Sequence, residues 1–198
     1  LPILVCAAFV HPAPLFAACE LAKLADLPVT MSGSRPLVTA QINGTDARFI
    51  VDSGSYFSVI SEASAAEFKL PLTSAPFGVF LSGIGGSVSP SIATVKTFTF
   101  AGHPFSNVEF LAGSAAVGRS DGVGILGENF LRFGDVEYDL AKGAVRLFRA
   151  KGCSHSTLAY WVTPADAYSV IDVEPATRES PRITGSAMIN GARIRVLF

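Results

Sequence analysis

The sequence predicts an all-β fold of short strands and tight turns, on three observations. The 198 residues include fifteen Phe, eighteen Gly and twelve Pro, a composition weighted towards strands and turns. The apolar runs are brief and end at Gly, Pro or Asn, as strands in a meander do. Helical patterns are few and short. Hydrophobic residues make up 49% of the chain against 16% charged, enough for a sizeable core and against disorder. The net charge is −1 and no Lys/Arg cluster occurs, which argues against nucleic-acid binding through a basic face.

The chain opens LPILVCAAFVHPAPLFAACELA. Ile3 to Val10 has the length of a signal-peptide apolar region and is far short of the roughly 20 residues that span a bilayer. Ala17 and Ala18 suit a cleavage site. Residues 1–18 are therefore read as a signal segment and the protein as exported, to a bacterial periplasm or cell envelope; a buried N-terminal strand is the competing reading. Cleavage removes Cys6 and leaves Cys19 and Cys153, which would pair in an oxidising compartment. Phe16-Ala-Ala-Cys19 also resembles a lipobox with a poor first residue. A lipidated Cys19 would make it a membrane anchor, and two free thiols are the third reading. The first residue is not Met and Phe198 falls within an apolar run, so the sequence reads as a piece of a longer protein.

Residues 19–34 form an N-terminal arm. Arg35 to Asn43 alternates apolar and polar residues like a half-buried strand. Asn43-Gly44 supplies a hairpin turn, and Ala47 to Val51 returns. Asp52-Ser53-Gly54 turns the chain again, and Phe57 to Ile60 is a further strand. Glu62 to Phe68 is a short helix. Gly78 to Leu81 and Val88 to Phe100 are strands flanking the loop Gly83-Ile84-Gly85-Gly86-Ser87. Gly102-His103-Pro104 leads into the strand Phe105 to Ala112. Ser114 to Ser120 is a small-residue loop, Val123 to Gly127 a short strand, and Asn129 to Phe133 a helical turn. Val136 to Leu140 and Ala144 to Phe148 form the last hairpin. Residues 35–148 thus make one β lobe. Residues 149–181 are a connector whose Tyr160 and Trp161 pack onto it.

A repeat organises the rest. Ile42-Asn-Gly-Thr-Asp-Ala-Arg-Phe-Ile-Val51 recurs without a gap 147 residues later as Ile189-Asn-Gly-Ala-Arg-Ile-Arg-Val-Leu-Phe198. Ile, Asn, Gly and the later Arg, Arg48 and Arg195, are identical. Two unrelated Asn-Gly hairpins could coincide, yet the shared Arg and equal strand length speak for a true repeat. Residues 182–198 are then the first hairpin of a second lobe. Asp52 follows the first copy, so an Asp with Ser or Thr and then Gly is expected from position 199.

Several elements together resemble a retropepsin-type aspartic protease. They are an apolar strand running into Asp52-Ser53-Gly54-Ser55, the glycine-rich Gly83-Ile84-Gly85-Gly86, and Ile125-Leu126-Gly127 before Asn129-Phe130-Leu131. The hairpin Val136 to Leu140 with Val145 to Phe148 closes the set. The resemblance spans residues 35–148 and implies a closed barrel-like lobe with one or two short helices. It further implies a bacterial exported protein with two such lobes in tandem.

Such an enzyme sets two carboxylates across a water. Like charges ~3 Å apart share one proton, so one Asp is the base and the other an acid. Asp52 has no Lys or Arg within three residues, as a carboxylate partnered by another Asp requires. The resemblance gives Gly54 a close backbone approach to the carboxylate and Ser53 a hydroxyl brace, where the family more often has Thr. Ile125, Leu126 and Gly127 would pack beneath the catalytic turn. Gly83 to Gly86 would be a flap closing over an extended peptide. On their own, Asp52 could cap a turn, Ser53, Gly54 and Ser55 could be plain turn residues, and the glycines a plain loop.

Asp121, Asp135 and Asp139 read as loop or solvent-face residues. His11, His103 and His155 are scattered, and Ser55, Ser58 and Ser61 lack a His partner for nucleophilic work. No metal-ligand or nucleotide motif occurs, so no cofactor or metal is expected. The expected partners are a polypeptide substrate and either a second lobe of the same chain or a second copy of this one. A non-catalytic peptide-binding module of the same fold is the alternative.

Overall fold

A computed structural model of the chain describes residues 19–83, 86–113, 122–154, 156–163, 167–174 and 182–198. Residues 1–18, read above as a signal segment, with Cys6 and His11, and also Ile84, Gly85, the expected loop Ser114 to Ser120, Asp121 and His155 lie outside the described residues.

The elements follow in chain order: β1 (Glu20–Pro28), β2 (Thr30–Ser32), β3 (Arg35–Ile42), β4 (Thr45–Val51), β5 (Val59–Ile60), α1 (Glu62–Glu67), β6 (Leu72–Ser74), β7 (Leu81–Gly83), β8 (Gly86–Val88), β9 (Ser91–Phe100), β10 (His103–Ala112), β11 (Gly124–Leu126), α2 (Glu128–Leu131), β12 (Asp135–Asp139), β13 (Ala144–Lys151), β14 (Val173–Glu174), β15 (Thr184–Ile189) and β16 (Ala192–Leu197). The fold is mostly β.

The hairpin β3–β4 pairs Ile42 with Thr45 across Asn43 and Gly44. Both turn residues have positive φ, 51° and 84°, which Asn and Gly tolerate. The hairpin tip is fastened to β9: the Asn43 N–H donates to the Thr97 carbonyl at 2.8 Å, and the Thr97 N–H donates to Asn43 Oδ1 at 3.0 Å. Strands β3, β4, β11, β5, β10 and β9 are neighbours in that order, and β3 also pairs with β9. The ring therefore closes into a six-stranded barrel. Closure removes the unpaired edges of an open sheet.

Phenylalanine fills the barrel. Phe49, Phe98 and Phe110 are fully buried, with Phe98 at 5.1 Å from Phe110 and 5.7 Å from Phe49 between ring centroids. Phe130 of α2 joins them at 5.0 Å from Phe98. Edge-on and offset contacts of this kind add to the burial energy of each ring. A short helix is thereby held by the main core.

Outside the barrel, β1, β13 and β12 form a second sheet. The N-terminal arm is thus a strand of the first lobe over much of its length. A bulge between Lys23 and Ala25 interrupts its pairing with β13. The strand expected from Val88 to Phe100 is instead β8 and β9, separated at Ser89-Pro90, where Pro90 has no N–H for a ladder. Arg146 on β13 bridges Asp26, Glu137 and Asp139. The Tyr160 hydroxyl donates to Glu137 Oε2 at 2.6 Å, and its ring packs edge-on against Phe148. Trp161 rests on Tyr160.

A third sheet holds β14, β15 and β16. The β15–β16 hairpin pairs Ile189 with Ala192, the register of β3–β4. Asn190 and Gly191 repeat the turn with φ of 49° and 81°. The sequence repeat is thus a structural repeat.

A disulfide joins Cys19 to Cys153 across 134 residues. It clips the start of β1 to the segment after β13. Closing so long a loop restricts the unfolded chain, so replacing both cysteines with Ser is expected to cost about 2–5 kcal/mol. Urea unfolding of the oxidised protein and the double variant measures it.

Candidate active site

Two chain segments cross at one end of the barrel. The first leaves β4 as Asp52-Ser53-Gly54-Ser55 and runs through Tyr56 and Phe57 to β5. The second is β11 with the start of α2. Strand β11 lies parallel to β4, pairing Leu126 with Val51, and antiparallel to β5, pairing Ile125 with Val59.

Asp52 is half-buried. Its backbone N–H donates to the Leu126 carbonyl at 3.0 Å. Its Oδ1 accepts the Gly54 N–H at 2.9 Å, which fixes the carboxylate over its own turn. Asp52 has no ion-pair partner among the described residues. A side chain at Gly54 would start 3.2 Å from Asp52 Oδ1 and 3.6 Å from Leu197 Cδ2. The end of β16 therefore lies beside this turn. Ser55 donates its hydroxyl to the Phe57 carbonyl at 2.8 Å.

Beneath the turn the packing leaves no room for a Cβ. At Gly127 one would lie 2.5 Å from the Ser55 carbonyl oxygen and 2.9 Å from that of Phe57. At Gly124 it would lie 2.1 Å from the Val59 oxygen. Ile125 and Leu126 are buried, Ile125 with Val59 and Leu111 in a small cluster outside the barrel and Leu126 within the main core.

A polar network ties the two segments. Asn129 Oδ1 accepts from the Ser58 N–H at 2.8 Å and from the Ser58 hydroxyl at 2.7 Å. The same hydroxyl oxygen accepts the Gly127 N–H at 3.0 Å. The Glu128 and Asn129 N–H groups donate to the carbonyls of Ser55 and Tyr56. Ser58 is buried, so its satisfied bonds avoid the penalty of unpaired polar groups.

Two further titratable groups face the turn. Glu128 is only 6% exposed and has no hydrogen bond or ion pair from its side chain among the described residues. Burial raises its carboxyl above the usual range, and the charge of Arg132 partly offsets this. Tyr138 on β12 has its phenol pushed up to about 12, first by burial and then by the negative charge of Glu128. Asp52 adds to the rise, and the nearby Ser53 hydroxyl opposes it. Ser53 thus has a neighbour within its own lobe.

The flanks of the glycine-rich loop form a hairpin. Gly83 pairs with Gly86, and Leu81 with Val88. The hydroxyls of Ser82 and Ser87 share a hydrogen bond at 2.7 Å. Gly86 has a φ of 109°, a backbone state that suits Gly. The tip residues Ile84 and Gly85 lie outside the described residues.

The structure therefore brings Asp52, Ser53, Gly54, Ser55, Ile125, Leu126 and Gly127 together, with the loop flanks as a separate hairpin. The sequence reading missed Ser58 as a brace and gave Tyr138 and Glu128 no part at the site. The spacing of Ser58 six residues after Asp52, paired with an Asn two residues after Gly127, was the available signal.

Residues 38–130 match the family model for aspartyl proteases. The matched stretch runs from within β3 to within α2 and includes the Asp52 turn and Gly127. Among solved structures, a retropepsin-like aspartic protease from Rickettsia conorii is similar at 19% identity and a TM-score of 0.43, over 67% of this chain and 95% of that one. The EIAV protease in complex with the inhibitor HBY-793 is similar at 26% identity and a TM-score of 0.41, over 53% of this chain and 93% of that one. No curated protein matches. Among the described residues no group of His, Cys, Asp and Glu could hold a metal ion, and no helix is long and apolar enough to cross a membrane.

Two outcomes follow from this geometry. Ser58→Ala leaves the Gly127 N–H unpaired in a buried site and is expected to cost about 1–3 kcal/mol, read by chemical unfolding. Glu128 has its pKa raised in the folded state. Its contribution is thus most favourable below the unfolded value and is lost as pH rises through the folded one. Glu128→Gln is therefore expected to raise Tm at pH 7 and to change it little near pH 4. Each kcal/mol regained corresponds to about 2–4 °C. A larger gain at pH 4 than at pH 7 would contradict the assignment.

Proposed function

We propose that this protein is an exported aspartic endopeptidase in which Asp52 is one member of a catalytic dyad. The other member is an Asp at position 199, just past Phe198. The observation that carries the reading is the contact of Leu197 with the Asp52 turn. The repeated hairpin β15–β16 ends at the turn that follows its first copy. Position 199 is one residue beyond Phe198, as Asp52 is one residue beyond Val51.

In this reading the carboxylate held by the Gly54 N–H and its counterpart share one proton across a water. The ionised member removes a proton from the water while the protonated member donates to the scissile carbonyl. The pair titrates as a unit. The braced crossing of Ser58, Asn129 and Gly127 keeps Asp52 in place without reorganisation during the reaction. The hairpin around Gly83 and Gly86 would close over an extended peptide and exclude water. The substrate is a polypeptide, and no cofactor takes part. The disulfide fits an oxidising compartment outside the cytoplasm, where this reading places the protein.

The test is peptide cleavage by the protein carrying its second lobe. Asp52→Asn is expected to lower kcat by about a thousandfold or more, since it removes one half of a shared-proton pair. Retained cleavage by a correctly folded Asp52→Asn variant would refute the assignment. Peptide binding without cleavage by the parent protein would mark a binding module of the same fold.

A further inference from the structure

A groove of about 400 Å³ takes part of its lining from Phe57, Ser58 and Asn129 of the crossing that braces the Asp52 turn, a size typical of side-chain and small-ligand pockets. One wall is the outer face of the barrel, with Ile92 of β9 and Leu111 of β10. The other wall is the segment leading towards the flap, with Val79. Phe57, five residues after Asp52, also lines the groove and is 50% exposed.

The groove is mostly apolar, and one charge lines it: Glu109. Glu109 is exposed and has no ion pair or hydrogen bond from its side chain among the described residues. Strand register puts Glu109 opposite Thr94. Lys96, two residues further along β9, therefore shares its face, yet the two make no ion pair within 4 Å. An apolar channel with an uncommitted carboxylate suits a side chain with a long aliphatic stem and a cationic head.

Resting on the peptidase reading above, we propose that this groove is a specificity subsite taking a lysine or arginine of the bound peptide. The aliphatic stem lies against Phe57, Val79 and Leu111, and the charge meets Glu109. Glu109 is then a specificity-determining residue and takes no part in bond cleavage.

The probe is a positional-scanning peptide library, cleaved by the protein carrying its second lobe and by its Glu109→Gln and Glu109→Lys variants. Glu109 is exposed on a strand, so both variants are expected to fold. The parent should favour Lys or Arg over norleucine at one substrate position by about 2- to 5-fold in kcat/KM, the range of a single exposed charge pair. Glu109→Gln should bring that ratio near one, and Glu109→Lys should move the preference towards Glu or Asp. Raised salt should reduce the preferences of the parent and of Glu109→Lys and leave Glu109→Gln unchanged.

Anisotropy of labelled peptides bound to the Asp52→Asn protein separates this idea from the reading beneath it. Binding that favours basic peptides through Glu109, with no cleavage by the parent, keeps the subsite and removes the peptidase. Cleavage without a basic preference, or with one that Glu109→Gln leaves intact, overturns the subsite and keeps the peptidase. Neither cleavage nor binding overturns both.

Discussion

Two backbone segments cross under Asp52 with no space for a side chain between them, and one buried hydroxyl holds them together. Ser58 gives its proton to Asn129 and accepts the Gly127 N–H, so a single oxygen serves both segments. A buried hydroxyl without partners is costly, which fixes Asn129 in place as firmly as Ser58. Asn129 sits on α2, and α2 is only four residues long. Such a helix has little stability of its own. Phe130, the next residue, inserts into the phenylalanine core beside Phe98. The hydrophobic core therefore positions the polar brace, and the brace positions the carboxylate.

The far side of the lobe is held by different forces. There β1, β13 and β12 carry the Arg146 cluster, the Tyr160 contact and the disulfide. Arg146 holds the Asp139 carboxyl below its ordinary range through their hydrogen bond. Asp26 is lowered chiefly by Lys23, with Arg146 adding to it. Both contributions are present at neutral pH and fade as pH falls through the lowered values. Glu128, near the site, has the opposite sign. Acid thus weakens the far sheet while it relieves the buried carboxyl under the Asp52 turn.

Much of this was legible from residues alone because the signals are local. The hairpin β3–β4 follows from the alternation between Val38 and Ile42 and from Asn-Gly. The repeat at Ile189 follows from identity at fixed spacing. Gly127 and Gly54 were visible as glycines beside apolar runs. Strand β1 was not read as a strand. Its Leu21, Leu24 and Leu27 recur every third residue, which breaks a two-residue period, and a bulge at Lys23 to Ala25 absorbs the difference. Ser58 was invisible as a brace because a serine in a strand carries no pattern. Its partners lie 69 and 71 residues away. Glu128 looked like any charged residue at a helix start.

Composition and short apolar runs predict the all-β class, local motifs mark the Asp52 turn and the glycine-rich loop, and identity at a fixed spacing marks the repeated unit. Which groups the turn leans on depends on contacts between distant parts of the chain. Closure of the barrel brings β11 between β4 and β5, and that juxtaposition creates the Ser58 network and buries Glu128. Such contacts also bring Leu197 to the Asp52 turn and Glu109 to a groove. Contacts between residues distant in the chain depend on how strands close in space, and no local pattern of side chains encodes that distance.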